Sequence, residues 1–359
     1  MSAITDLNHW LATDFADTNT HLEQAYFAAR AEIVYDDTDL DQRKRVLRDD
    51  GATLVTRIGD VGGDPYDLLG AVGLYLAACR RHEVEAPESA QAVAGRLGLA
   101  LGVVPRFEFA HLSTHNPEAR TFTRLPDELA FTTCNGLGVL AYDRAAAALR
   151  RVPAVTASLA GTLFDEALAA LEAVLAASRE LAATLDVDRF FLNVRPYFKP
   201  HVVCGTEYRG PNAGDFAAVT EIDLALGLCD PGDPFYQRIV AEKYPYVPPY
   251  EQARLRTPPA NLLALVEETG EHAERYLAVC RAHGAAYAFH HHRLVLPFLA
   301  KPAAHLPPER LARLTASGPP LDVVLATLSR LVDLRAARDR PGTAHSRLVA
   351  LRTLQLSGS

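Results

Sequence analysis

The stretch Val155–Leu185, VTASLAGTLFDEALAALEAVLAASRELAATL, decides the fold class of this chain. Alanine, leucine, glutamate and arginine dominate the stretch, and these residues are strong helix formers. Its large apolar residues recur near the spacing of one helix face, at Leu159, Leu163, Leu168, Leu171 and Val174. This spacing predicts a long amphipathic helix that buries one face against the rest of the protein.

The same composition predicts further helices on both sides of that stretch, at Pro65–His82, Ser89–Leu99, Asn261–His283, Ala285–Leu299, Pro308–Ala316 and Leu321–Arg338. Asn261 is a favourable N-cap residue, and Pro308 suits the first turn of a helix. Strand-like alternation is confined to two short runs, Thr53–Ile58 and Phe107–Leu112. We therefore expect a mainly α fold.

Length and charge limit the classes of protein to consider. The chain has 359 residues, 49% of them hydrophobic, and its 36 basic and 44 acidic residues give a net charge of −8. We expect a single large helical domain over residues 1–359, with N-terminal helices or an extension in 1–45 and a peripheral tail in 340–359. The negative charge argues against nucleic acid or an anionic membrane as a partner. Apolar runs fall short of the roughly 20 residues that a membrane-spanning helix needs.

The cysteines and known motifs exclude several further classes. Five cysteines, with no pair at CxxC spacing, argue against a disulfide scaffold or a zinc ribbon and favour reduced thiols in a cytoplasmic protein. The N-terminal sequence lacks the basic and apolar regions of a signal peptide. The sequence also lacks GxGxxG, GxxxxGK[ST], GxSxG and HExxH, which argues against nucleotide, serine-hydrolase and zincin chemistry.

Three adjacent histidines, His290–His292, interrupt a segment that otherwise reads as a buried helix. Successive helical residues point about 100° apart, so three adjacent imidazoles are poor geometry for a three-histidine zinc site. One imidazole on the apolar side of a helix suits an axial haem ligand, whereas a solvated or capping cluster is the alternative reading. Pro297 cannot donate a hydrogen bond to the Arg293 carbonyl, so we expect the helix to bend or loosen just after the triplet.

Two other segments carry unusual polar residues. The first runs from His111 through an Asn-Pro turn to Glu128, and it is either a ligand-orienting loop or a self-satisfied structural loop. The second holds Arg195, Tyr197, Tyr208 and Arg209. These side chains could clamp a carboxylate and stack on a planar ligand, or they could tie a long loop to the helices.

These segments together resemble one family, that of the monodechloroaminopyrrolnitrin synthases, within the haem enzymes similar to tryptophan and indoleamine dioxygenases. The matching stretches keep their order over roughly residues 50–330. They are HLSTHNPEARTFTRLPDE (111–128), LNVRPYFKPHVVCGTEYRGPNAGDF (192–216), YPYVPPYEQAR (244–254) and HHHRLVLPFL (290–299).

The resemblance implies a helical domain with haem b buried between helices and held through one proximal histidine. His292 best matches the pattern around that histidine, with His291 as the runner-up. His111 falls where the family also has histidine, which implies a position near the distal side of the pocket. Ser317 lies in a short segment that replaces a glycine-rich stretch covering the substrate in relatives, and we take it as a second catalytic candidate.

The resemblance also implies that the second polar segment serves the substrate carboxylate or the haem propionates. The residues that we assign to this role are Arg195, Tyr197, Tyr208, Arg209 and Asn212.

We therefore expect a haem-dependent oxygenase of bacterial specialised metabolism that oxidises tryptophan or a related indole amino acid with dioxygen or peroxide. Two alternatives stay open: oxidation of tyrosine or another aromatic substrate, and a haem-binding protein without catalysis. The charge and the large helical surface permit a homodimer without requiring one.

Overall fold

The computed structural model describes residues 2–58, 62–307 and 321–335. Regular structure there is almost entirely helical, which confirms the expected mainly α class. The first six helices are α1 (Ala3–Trp10), α2 (Ala16–Ala28), α3 (Thr38–Arg57), α4 (Pro65–Arg81), α5 (Glu88–Leu101) and α6 (Ala110–Ser113). The next ten are α7 (Pro126–Arg151), α8 (Ala157–Thr184), α9 (Val187–Arg189), α10 (Ala218–Ala225), α11 (Pro234–Lys243), α12 (Pro249–Arg256), α13 (Leu262–Thr269), α14 (Ala273–Phe289), α15 (Lys301–Ala303) and α16 (Leu321–Arg335).

Several shorter segments link these helices. The π-helical segments are Leu11–Phe15, Phe190–Val194 and His290–Ala300, and the 3₁₀ turns are Val152–Ala154, Arg195–Phe198 and Tyr244–Tyr246. The strands β1 (His201–Val203) and β2 (Thr206–Tyr208) form an antiparallel ribbon in which His201 lies opposite Tyr208. The sequence analysis did not predict this ribbon.

Helix ends follow the local sequence. Asp37 caps α3, because its carboxylate accepts hydrogen bonds from the backbone N–H groups of Asp39 and Leu40. Asp64 caps α4 in the same way, and Pro65 occupies the first turn, where its missing N–H costs no hydrogen bond. Helix α5 ends at Gly102, whose φ of 68° lies in the left-handed region that favours glycine.

The helices α7 and α8 form the long antiparallel pair of the fold. Small buried residues lie on both helices: Ala145, Ala146 and Ala148 on α7, and Ala160, Ala167 and Ala170 on α8. Small side chains let two helix backbones approach closely, and the larger Leu163 and Leu171 bury the rest of the α8 face. Helix α14 also packs against α8, and apolar residues of α7, α8 and α14 belong to one hydrophobic core.

The apolar side chains form two main cores. The first core joins α1, α3, α4 and α5 to the segment that precedes α7 and to residues 190–203. The second core joins α7, α8, α10, α13 and α14. Residues 209–220, which connect the ribbon to α10, lie along one side of this second core.

Both strand predictions are wrong. Thr53–Ile58 forms the end of α3, where the Thr53 and Thr56 hydroxyls donate to the carbonyls of Asp49 and Ala52 four residues earlier. Phe107–Leu112 runs into α6 and is buried along its length against α4. Alternation over six residues was too short to separate a strand from a packed helical or irregular segment.

The predicted helix Asn261–His283 is two helices, because the chain breaks between α13 and α14. Gly270 and His272 have φ values of 69° and 60°, which end α13 and redirect the backbone into α14. The predicted helix Pro308–Ala316 and the tail 340–359 lie outside the described residues, so a single domain over the full chain stays a prediction.

Candidate functional site

A cavity of about 510 Å³ opens between the second core and the helices that surround it. Its walls come from α7, α8, α11, α14 and α16, together with residues 209–220. This volume lies within the usual range of small-molecule and cofactor sites. The apolar part of the wall includes Val139, Val174, Leu294 and the aromatic rings of Tyr142 and Phe216.

Four of the described wall residues are cationic: Arg209, Arg238, Lys243 and Arg335. Arg209 donates from Nη2 to Asp215 Oδ1 at 2.9 Å, and its guanidinium lies over the Tyr246 ring. The wall also holds the carboxylates of Asp215 and Glu242, and the remaining excess of cations favours a ligand that carries carboxylates.

Asp223 holds Arg335 in place from behind the wall. The Arg335 guanidinium donates to both Asp223 oxygens, at 2.9 Å from Nε to Oδ1 and 2.7 Å from Nη2 to Oδ2. Tyr236 donates from its hydroxyl to Asp223 Oδ2 at 2.7 Å, and His283 Nε2 lies 2.8 Å from Oδ1. Burial would raise the pKa of Asp223, but Arg335 and the His283 hydrogen bond hold it below its ordinary value. The carboxylate therefore stays ionised and fixes the guanidinium beside the Tyr287 ring, 3.9 Å from its centre.

The histidine triplet begins the π-helical segment, which contains Pro297. We expected the helix to loosen just after the triplet, and the change of hydrogen-bonding pattern begins at His290 itself. The three imidazoles consequently point in different directions. His290 lies on the cavity wall, His291 is buried with its Nδ1 unpaired in the described structure, and His292 is exposed.

His290 has the properties of a neutral nitrogen ligand. Burial lowers its pKa to about 4, and the neighbouring His291 and the Arg335 charge contribute in the same direction. The ring therefore carries no charge at neutral pH, which is the state in which imidazole binds a metal ion. The nearest aromatic contact is Tyr287, with the two ring centres 6.4 Å apart.

These residues fit a haem group. The cavity has the required scale and apolar walls, and a neutral imidazole at the wall is a suitable axial ligand. The cationic side chains on the wall are suitable partners for two propionates.

The structure brings two of the five predicted carboxylate-binding residues, Arg209 and Asn212, to the cavity wall. Arg195 instead lies in the first core region, where it pairs with Glu32 at 3.2 Å. Tyr197 is buried there as well, stacked on a phenylalanine ring. Tyr208 lies in β2, half-buried beside the first core.

His111 is buried against α4 and does not belong to the cavity wall described above. The Glu108 N–H donates to His111 Nδ1 at 2.8 Å, and the imidazole packs on the Tyr66 ring with centres 4.1 Å apart. Burial lowers the pKa of His111 to about 3, so the ring is neutral. Ser317 lies outside the described residues.

Lys243, Arg335 and the Asp223 network were not predicted from the sequence as parts of a site. A sequence signal existed in α16, where Arg335 ends an apolar helical pattern, and in α11, whose last residue is Lys243. A charge at the end of a helix usually reads as a solvated cap, so the pattern alone did not separate these residues from surface lysines and arginines.

Comparison with known families shows the family of this chain. The family model described as Monodechloroaminopyrrolnitrin synthase PrnB matches residues 1–356, essentially the whole chain. This finding confirms the resemblance drawn from the four sequence stretches. No curated protein matches the chain. Within the described ranges, no helix has the length and apolar character needed to cross a bilayer.

Proposed function

The chain belongs to the monodechloroaminopyrrolnitrin synthase PrnB family, a family of haem-dependent oxygenases, and on that premise we propose its substrate and its cofactor site. The substrate is tryptophan or a closely related indole amino acid, and the oxidant is dioxygen or peroxide. The cofactor is haem b, bound in the cavity between α7, α8, α11, α14 and α16. The observation that carries this proposal is the neutral imidazole of His290 on the wall of a cavity that also presents four cations.

One imidazole of the triplet binds the iron in this proposal. The cavity geometry favours His290, whereas the sequence resemblance favours His292 and then His291. His290 is the wall residue of the three, and its depressed pKa keeps the ring unprotonated. His292 is exposed, so it would hold the haem iron only after a rearrangement of the π-helical segment.

When bound, haem supplies a redox-active iron that activates the oxidant. The residues of the chain bind the substrate, orient it and exclude water from the site. Tyr142 and Phe216, whose ring centres lie 5.4 Å apart, offer an aromatic surface for an indole. Val139, Val174 and Leu294 keep water from the reacting atoms.

Charge orients the ligand. Arg209 and Arg335 are fixed by Asp215 and Asp223, so their guanidinium groups are organised before a carboxylate arrives. This arrangement needs no acid–base pair of side chains. Positioning and electrostatics are the contribution that we assign to the protein.

The test is an absorption spectrum of the full chain expressed with a haem precursor. We expect a Soret band that shifts on addition of L-tryptophan and stays unchanged with L-tyrosine. A shift with L-tyrosine alone would move the assignment to phenolic substrates. A chain that retains no haem would contradict the proposed function.

The axial ligand is tested by three single variants, His290→Ala, His291→Ala and His292→Ala. We expect His290→Ala to lose the wild-type Soret band and to recover a similar band when imidazole is supplied in solution. The other two variants are matched controls on the same segment. If His292→Ala alone changes the spectrum, the ligand is His292.

A further inference from the structure

Lys243 is a buried cation on the cavity wall. It ends α11, is 8% exposed, and lies beside Phe216 and Thr220. Its Nζ donates to the Phe216 carbonyl at 3.1 Å and to the Thr220 hydroxyl oxygen at 3.4 Å. Both acceptors are neutral.

The other three wall cations have carboxylate partners. Arg209 pairs with Asp215 at 2.9 Å, Arg335 pairs with Asp223 at 2.7 Å, and Arg238 approaches Glu242 at 3.9 Å. Among the residues that the structure describes, Lys243 has no carboxylate oxygen within 4.0 Å.

A buried ammonium without a counter-ion is unfavourable, because desolvation of the charge is not offset by an ion pair. Burial accordingly lowers the pKa of Lys243 to about 8, since the attraction of Asp215 and Asp223 offsets it only in part and Arg335 adds repulsion. An ammonium group also has three N–H donors, and the described hydrogen bonds use two of them. The cavity beside it has room for the missing anion.

We propose that Lys243 binds a carboxylate of the cavity's ligand and thereby gains the counter-ion that the chain itself does not provide. This inference rests on the proposed function. Two ligands of the cavity bring a carboxylate: the amino-acid substrate through its α-carboxylate, and haem through a propionate. The chemistry of recognition is the same for both, and binding measurements separate them.

The decisive variants are Lys243→Gln, which keeps neutral hydrogen-bond donors, and Lys243→Met, which keeps the length and apolar stem. Lys243→Arg restores the charge. Arg275→Met is the control, because it removes a cation that is 50% exposed in its side chain and lies outside the described cavity wall. Circular dichroism establishes that each variant has the wild-type helix content.

Two affinities are measured by Soret absorbance: that of the apoprotein for haem, and that of the haem-loaded protein for L-tryptophan and for tryptamine, which lacks the carboxylate. If the carboxylate is a propionate, we expect both neutral variants to bind haem at least about ten-fold more weakly. If it belongs to the substrate, haem affinity is unchanged, and the preference for L-tryptophan over tryptamine falls by a similar factor. Lys243→Arg and Arg275→Met should stay near wild type.

The proposal is overturned if Lys243→Gln and Lys243→Met keep the wild-type affinity for haem and the wild-type preference for L-tryptophan. Lys243 is then a structural residue that ties α11 to the Phe216 carbonyl. Absence of haem binding by the wild-type chain would instead overturn the proposed function itself, and this assignment with it. The two failures are therefore distinguishable.

Discussion

Two regions of the molecule contain buried, polar side chains with unpaired atoms, and they differ in the space around those atoms. In the segment Arg106–His111, the unpaired atoms include Arg106 Nε and His111 Nε2. That segment presses on α4 so closely that a Cβ at Gly73 would lie 2.2 Å from the Phe107 backbone nitrogen. At the cavity, Arg335 Nη1 has no described hydrogen-bond partner, and a Cβ at Gly138 would meet no described atom within 4 Å. Unpaired polar atoms indicate a ligand site only where there is also room for a ligand.

The pairing of charges differs as well. In the first core region, Arg81 and Glu23 form a fully buried ion pair with an Nε–Oε1 distance of 2.7 Å, and Asn193 adds a hydrogen bond to Glu23. At the cavity, Lys243 has no such partner among the described side chains. In the first core region, removal of one partner would leave a buried charge uncompensated, whereas Lys243 already lies in the native structure without a paired carboxylate among the described residues.

The largest effect that tests this comparison is the loss of the buried ion pair. Arg81→Met leaves the Glu23 carboxylate buried without its counter-ion, so we expect a loss of about 3–5 kcal/mol in the free energy of unfolding. Arg30→Met is the control, since Arg30 and Asp188 are both exposed and such pairs contribute about 0–1 kcal/mol. Urea titration followed by circular dichroism measures both. Equal effects of the two substitutions would show that the first region does not depend on buried charge pairing.

Glycine-to-alanine substitutions should change stability in opposite directions in the two regions, and by a smaller amount than loss of the ion pair. Gly73→Ala forces a methyl group against the Phe107 backbone, and we expect it to cost about 1–3 kcal/mol. Gly138→Ala lies in the interior of α7 with open space beside it, so we expect it to stabilise the protein by about 0.5–1 kcal/mol. Thermal unfolding of the two variants gives the sign directly. A destabilising Gly138→Ala would mean that the cavity wall is tighter than described.

The smallest effect is a pH dependence of the free energy of unfolding that arises in the segment Arg106–His111. Burial raises the pKa of Glu108 to about 8, although the hydrogen bond from Tyr66 opposes this shift. The folded state therefore keeps a proton that the unfolded state releases near its ordinary pKa, and stability falls as pH rises toward 8. His111 acts in the opposite sense up to about pH 7.5, because its unfolded imidazole, with an ordinary pKa near 6.5, is still partly protonated there, whereas burial lowers the folded pKa to about 3. Glu108→Gln retains His111, so the difference between the two proteins isolates Glu108.

We therefore expect the free energy of unfolding of the wild type to fall relative to that of Glu108→Gln between pH 6.5 and 8. The difference in slope is at most about 1.4 kcal/mol per pH unit. Urea titrations at pH 6.5, 7.25 and 8 measure it. Parallel curves for the two proteins would show that Glu108 titrates at its ordinary pKa.

Much of the fold follows from sequence pattern, because long periodic segments such as α8 bury one face whatever their partners. A loosened helix just after the triplet was expected from the missing N–H of Pro297, and the change of hydrogen-bonding pattern begins earlier, at His290. Short runs were not predictable. Within Thr53–Ile58, the hydroxyls of Thr53 and Thr56 donate to backbone carbonyls four residues earlier in α3. The helix therefore depends on residues of the preceding turn, which the run considered alone does not include.

The site was only partly predictable for a related reason. Arg209 and Asn212 lie on the cavity wall, and their role in binding a carboxylate stays a prediction, whereas Arg195 and Tyr197 of the same stretch pack in the first core region. The Asp223–Arg335 pair joins residues 112 positions apart, and no local pattern announces such a contact. The role proposed for Lys243 depends on the absence of a paired carboxylate among the described residues, and the sequence does not show that absence.

The most direct test of the central claim is a haem titration of two neighbouring variants on α7. Gly138→Phe fills the cavity, whereas Leu137→Phe adds a similar ring at a position that is 57% exposed. We predict that Gly138→Phe loses stoichiometric haem binding and that Leu137→Phe binds haem like the wild type. Wild-type haem binding by Gly138→Phe would contradict the claim that this cavity holds the cofactor.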